Sequence, residues 1–253
     1  MKIIAVMNQK GGIGKTMTAS SVAYILADGY KKRVLIADAD QQGNISMLFG
    51  RYEPEGVGMS ELLEGRITPA EAIQKTGYDR IDIITANGYL MQTNMKLLLQ
   101  ERDNQVTRFK DAMNAVRGRY DYCVVDCGLI LDMDVTNVLV AADLVVIPVK
   151  IGGFEIEAME NMTGQLEDLR ALNPGVKSKI LLTMLQGNKT SRQVDEWLYN
   201  TFGDACFWNR VRRSIIAEKA TMERVPLPRF SPRSKIAEDY KGVTHEIILE
   251  LEG

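Results

Sequence analysis

Histidine is all but missing from this chain: there is one, His245, in 253 residues. A His-ligated metal centre or a Ser-His-Asp triad has almost nothing to work with, and His245, on a charged helical pattern near the end, reads as a surface residue. Cysteine is nearly as scarce. Cys123, Cys127 and Cys206 are an odd number, and the first two are spaced C-x3-C, not the C-x2-C of a zinc or redox motif. Their apolar surroundings make them buried free thiols, which suits a reducing cytoplasmic compartment. No apolar run approaches the ~18–20 residues a spanning helix needs. The first apolar stretch is too short for a signal peptide. Repeats, low-complexity tracts and linkers are also lacking.

What is there is ordinary in bulk. Hydrophobic residues make up 45% and charged residues 25%, the balance of a globular domain, and the length suits a single domain over 1–253. Short Val/Ile-rich runs at 2–7 (KIIAVM), 33–37, 81–85, 122–125, 144–149 and 179–184 read as strands. They lack clean apolar/polar alternation, which indicates burial on both faces and a parallel sheet. Helical patterns lie between them at 15–27, 106–117, 156–172 and 191–202, with a closing helix over 234–251. Met159, Met162, Leu166 and Leu169 form a stripe best read as core packing. Residues 51–80, rich in Gly and Glu, suggest short surface helices. The order β-loop-α-β, repeated, predicts an α/β fold: a doubly wound, mostly parallel sheet flanked by helices.

The strongest local signal is Gly11, Gly12, Ile13, Gly14, Lys15 and Thr16, preceded by Lys10. Gln9 stands where the strict phosphate-loop pattern G-x-x-x-x-G-K-[ST] has its first glycine. The physics survives that departure. A glycine-dense turn between a buried strand and a helix curls successive backbone N–H groups around a phosphate, and the helix N-terminus adds its unpaired N–H groups. Lys15 would lie on the β/γ oxygens and the Thr16 hydroxyl would ligate Mg²⁺. Asp38 and Asp40, at i and i+2 of an extended strand, point the same way at its C-terminal end, where ligands of α/β sheets bind. Asp126 closes a second apolar run, Tyr122-Cys123-Val124-Val125, in the Walker B manner.

Lys10 through Thr16 resembles the deviant Walker A motif, K-G-G-x-G-K-[TS], of the ParA/MinD group of P-loop ATPases. Asp38-Ala39-Asp40-Gln41-Gln42-Gly43-Asn44 resembles the group's first switch, with Gln41 in place of proline. Asn137 and Ala141-Ala142-Asp143 through Ile147-Pro148-Val149 resemble a further family segment. The resemblance spans nearly the whole chain and is looser after residue 149. It implies a Mg²⁺-dependent ATPase that hydrolyses ATP to ADP and phosphate and forms a homodimer when ATP-bound. By resemblance, Lys10 acts across the dimer on the partner's nucleotide, Asp38 and Asp126 belong to the Mg²⁺ shell, and Asp40 positions the attacking water. Met17 replaces the family's usual hydroxyl residue but keeps its backbone N–H. Cys127-Gly128-Leu129 makes the second switch atypical. The chain starts directly at its first strand, like the small members that have no N-terminal helix-turn-helix.

The family's small members partition plasmids or chromosomes by binding DNA non-specifically, with a ParB-like, DNA-bound adaptor that stimulates hydrolysis. The matching feature here lies between residues 209 and 235. Arg210, Arg212, Arg213, Arg224, Arg229 and Arg233, with Lys219 and Lys235, face only Glu218 and Glu223, giving a net +6 in a chain whose total is −2. That implies a cytoplasmic, nucleoid-associated protein. The alternative is a related ATPase that positions a non-DNA protein cargo. Membrane attachment like that of MinD is disfavoured, because the chain ends in acidic HEIILELEG rather than a basic amphipathic helix. The superfamily's iron-sulfur reductases are disfavoured because Cys123 and Cys127 lack the required arrangement.

Overall fold

The computed structural model describes residues 1–100, 104–150, 164, 167–168 and 170–253. Seven strands form one sheet in the order β3-β4-β2-β5-β1-β6-β7. They are β1 (Lys2–Val6), β2 (Val34–Ala39), β3 (Gln74–Lys75), β4 (Ile81–Ile84), β5 (Tyr122–Cys127), β6 (Leu144–Lys150) and β7 (Lys177–Thr183). All pairings are parallel except that of β3, which runs antiparallel to β4 at the edge. The doubly wound sheet expected from the six apolar runs is thus present. β3 is an addition that two polar residues could not announce.

Described helices, in chain order, are α1 (Lys15–Tyr24), α2 (Asn44–Leu48), α3 (Met59–Glu64), α4 (Pro69–Ala72), α5 (Leu90–Leu99), α6 (Arg108–Ala115), α7 (Met133–Ala141), α8 (Lys189–Phe202), α9 (Ile215–Met222), α10 (Leu227–Phe230) and α11 (Lys235–Glu252). The expected helix over 156–172 falls mostly outside the described residues, as do Met159, Met162, Leu166 and Leu169.

Burial on both faces explains why the strands do not alternate. Every residue of β2 and of β5 is buried. Along β1, Ile3 and Ala5 face one core with Met59, Leu63, Leu97 and Phe109, while Ile4 and Val6 face the other with Val22, Leu26, Tyr240 and Ile247. Each such fully buried aliphatic side chain contributes roughly 1.5–3 kcal/mol, so the two layers of helices hold the central strands firmly. The short helices expected between 51 and 80 are present; α4 lies at the surface with only Ala72 buried, but α3 does not. Met59 and Leu63 are fully buried against the sheet and Ala72 with them, because α3 covers the face that β2 presents. Cys123, Cys127 and Cys206 are buried free thiols, and burial raises the pKa of each. His245 is exposed, 3.3 Å from the Tyr30 hydroxyl.

Candidate functional site

The strand order brings three chain segments to one edge. β2, β5 and β1 are neighbours, and register places Val6 beside Asp126 and Asp126 beside Asp38. The loop after β1 therefore sits directly above two carboxylates at the C-terminal ends of their strands, as parallel sheets place their ligand crevices.

The loop is held from below. Asn8, buried, donates from Nδ2 to Pro148 O at 2.7 Å and accepts from Lys10 N at 3.0 Å. The Thr183 hydroxyl lies 2.8 Å from Ile13 O and 3.0 Å from Val149 O, anchoring the loop to β6 and β7. Gly12 and Gly14 have φ of 67° and 88°, in the left-handed region where a side chain is strained. Gly14 is the N-cap of α1 and supplies no side-chain cap. The first N–H groups of α1 are thus left open toward the cavity above, an anion-binding arrangement. Lys15 folds back over the loop, with Nζ 3.2 Å from Lys10 O. Burial lowers its pKa, and the charges of Asp126 and Asp40 oppose that.

The carboxylates are unusual in their burial. Asp38 and Asp126 are fully buried and Asp40 nearly so. Asp38 accepts from Ser46 N (3.0 Å), Ser46 Oγ (2.6 Å) and Asp40 N (3.1 Å). Burial still pushes its pKa up to about 7, against those hydrogen bonds. Asp126 is pushed well above the carboxylate range by burial and then by the charge of Asp38, with Thr16 and Lys15 pulling the other way. Neither carboxylate oxygen of Asp126 accepts a well-formed hydrogen bond among the described residues, although the Thr16 side chain is close enough to act on it. A buried orphan of this kind costs about 1–3 kcal/mol or more, and a hydrated divalent cation would supply the missing donors and charge. The residues therefore fit Mg²⁺. No cluster of three or more His, Cys, Asp or Glu among the described residues makes a ready cage. Water, a hydroxyl and phosphate oxygens would have to complete the ion's shell.

This burial has a measurable consequence. A carboxyl whose pKa is raised by the fold keeps its proton where the unfolded chain has lost it. Its favourable contribution is full below the unfolded value near 4 and is lost as pH rises through the folded value. In metal-free protein, Asp126→Asn is expected to be stabilising, and increasingly so as pH rises from 4 to 8. At pH 8 we expect about 2 kcal/mol, or ~4–8 °C in Tm for a chain of this size. Thermal melts of both proteins in EDTA across that range check it; a difference independent of pH would contradict it.

Above the carboxylates lies a cavity of about 700 Å³, within the range of small-molecule sites. Gly11 through Met17 and Asp40 line it. Asp38 and Asp126 are beneath its floor, and the exposed Lys10 side chain is outside its lining. Of the far wall, the sequence singles out only Arg212, Arg213 and Arg224, as candidates for DNA contact. The wall comprises Lys150, Thr183 and Met184, then Val211 to Ser214, Arg224 and Tyr240. Lys150 and Thr183 end β6 and β7, so the end-of-strand argument that selected Asp38 would have selected them too. The wall is held by Leu185 N donating to Val211 O at 3.0 Å and Arg213 N to Leu185 O at 2.9 Å.

The six arginines of the basic window do not form one set. Arg212, Arg213 and Arg224 line the cavity. Arg210 is turned onto Asp195 of α8, and Arg212 makes a two-pronged pair with Asp239 of α11, both contacts 2.6 Å. Arg229 lies near Tyr24. Arg213, Arg229 and Arg233 are exposed and make no ion pair among the described residues.

Comparison with known proteins matches residues 1–178 to the AAA domain family. The sporulation initiation inhibitor protein Soj of Bacillus subtilis is 32% identical over 254 residues, 97% of this chain and 98% of Soj. The chromosome partitioning protein ParA of Myxococcus xanthus is 30% identical over 251 residues, 98% of this chain and 88% of that protein. Among solved structures, cobyrinic acid a,c-diamide synthase of Mycobacterium smegmatis, with a bound ATP analogue and magnesium, superposes with a TM-score of 0.85. It is 24% identical and covers 100% of this chain and 96% of that one, a likeness of fold.

Proposed function

This chain belongs to the AAA domain family, within its ParA/MinD-type partition ATPases, and from that premise we propose that it binds Mg·ATP, dimerises around it and hydrolyses it. The observation that carries the reading is the orphaned, fully buried Asp126 carboxylate beside Asp38, directly beneath a glycine loop whose helix N-terminus is open.

Each residue then has one task. The backbone N–H groups of residues 11–17 and the Lys15 ammonium bind the phosphates. Thr16, Asp38 and Asp126 would hold the shell of a bound Mg²⁺, which would supply charge neutralisation at the phosphates. Asp40 orients the attacking water. Phosphoryl transfer asks for positioning and charge neutralisation more than covalent chemistry, and this is what the chain's residues can supply. Lys10, exposed and outside its own cavity, is free to reach a partner's nucleotide. The Lys150 and Val211–Ser214 wall encloses the rest of the ligand.

We further infer that the ATP dimer binds DNA without sequence preference and takes a DNA-bound adaptor, and that its task is to segregate a replicon. Arg229 and Arg233, exposed, outside the cavity and without an ion pair among the described residues, are the candidates to touch DNA phosphates; Arg213 and Arg224 face the cavity, and Arg210 and Arg212 are engaged by carboxylates. The test is DNA binding by Asp40→Ala protein with ATP and with ADP at 50 and 200 mM salt. Binding that needs ATP, ignores sequence and falls by about tenfold or more at the higher salt is expected, as counterion release by a few arginines dictates. No binding at low salt, with the dimer confirmed in the same sample, would move the assignment to a protein-cargo ATPase.

A further inference from the structure

Behind Asp38 stands a residue that neither the motif nor the mechanism has used. Ser46 lies in α2, is fully buried, and gives both its backbone N–H and its hydroxyl to the same oxygen, Oδ2 of Asp38, at 3.0 and 2.6 Å. The hydroxyl oxygen also lies 3.1 Å from Ala86 N, just past the end of β4. A backbone N–H can only donate, so it must point at the Ser46 oxygen. The hydroxyl has one proton, and that proton is thereby committed to Asp38. Ala86 itself cannot drift. The next residue, Asn87, is buried and held on both sides, its amide donating to Gly56 O (2.8 Å) and Glu61 Oε2 (2.7 Å), its oxygen accepting from Ser60 Oγ (2.5 Å) and Tyr89 N (3.2 Å).

We propose that Ser46 is a positioning residue for the metal site: through its doubly hydrogen-bonded grip it fixes the rotamer of Asp38 and directs one oxygen lobe toward the ion's shell. This rests on the Mg·ATP reading above. The contrast with Asp126 supports it. Of two carboxylates in register on adjacent strands, one is fixed by three hydrogen bonds, and the other, with Thr16 acting on it, accepts no well-formed one. The pair is thus divided into a rigid member set by the protein and a member whose partners must come with the ligand. Outer partners of this kind orient metal-binding side chains and raise affinity.

The test uses the full chain with ADP and Mn²⁺, reading bound Mn²⁺ by electron paramagnetic resonance. Wild type, Ser46→Ala and Ser46→Thr are compared, with ADP affinity in EDTA as the second readout. Ser46→Ala is expected to bind Mn²⁺ about 10- to 100-fold more weakly while its ADP affinity in EDTA is unchanged. Ser46→Thr, which keeps the hydroxyl, is expected to retain most of the Mn²⁺ affinity. Unchanged Mn²⁺ affinity in Ser46→Ala would overturn the proposal. So would an equal loss of ADP affinity in EDTA, the mark of general damage. If wild type itself took up no Mn²⁺ with ADP, the Mg·ATP reading would fall and this inference with it.

Discussion

Alanine at position 40 is expected to leave ATP binding and dimer formation intact while cutting turnover by about 10²–10⁴-fold, the usual contribution of a positioned acid–base group. Asp40 is the one carboxylate of the three that lines the cavity. Its Oδ1 accepts from Gln42 N at 3.0 Å and its carbonyl from Gly43 N at 2.8 Å, while its own N–H is tied to Asp38. The side chain is therefore held in a tight turn that ends in Gly43, whose φ of 64° lies in the left-handed region. Its Oδ2 accepts no hydrogen bond from any described residue, which leaves it available to a water. On the proposed mechanism, losing it would remove the group that orients the nucleophile and nothing that holds phosphate. Single-turnover phosphate release, run beside size-exclusion chromatography with ATP, separates the two effects. Turnover at the wild-type rate would remove Asp40 from the mechanism.

Lys15→Ala should act earlier and harder. The Lys15 ammonium is buried at the start of α1, its Nζ lies over the loop, and the charges of Asp126 and Asp40 act on it. Charge-assisted hydrogen bonds to phosphate contribute about 1.5–3 kcal/mol each, so losing the ammonium is expected to cost at least ~3 kcal/mol, a hundredfold or more in Kd. The same change removes a cation whose charge acts on Asp126, which compounds the loss. Titration with a fluorescent ATP analogue measures it. An affinity within threefold of wild type would mean that the loop does not carry the phosphates.

Much of this site was legible because it is local. The loop from Lys10 to Thr16 is contiguous, and Asp38, Asp40 and Asp126 each end an apolar run, so motif and strand-end position agreed. The six apolar runs gave the parallel strands, since burial on both faces leaves a continuous hydrophobic signature. What stayed hidden depends on chain segments meeting across the fold. The net charge of residues 209–235 could not reveal that Asp195 and Asp239, from helices outside or at the edge of that window, neutralise Arg210 and Arg212. Helix α5 escaped notice because Met91, Met95, Leu98 and Leu99 are exposed, which blurs its amphipathic pattern. Met59 and Leu63 looked like parts of surface helices because their burial depends on β2 lying beneath them. Ser46 carries no motif of its own, and only the approach of Ala86, just past β4, gives its hydroxyl a fixed direction.

The most direct measurement is calorimetric titration of the purified wild-type chain with ATP, once with Mg²⁺ and once with EDTA. One site per chain, with affinity at least about tenfold weaker in EDTA, is the predicted result, because the two buried carboxylates act on nucleotide only through a cation. Absence of ATP binding, or binding indifferent to Mg²⁺, would contradict the account at its centre.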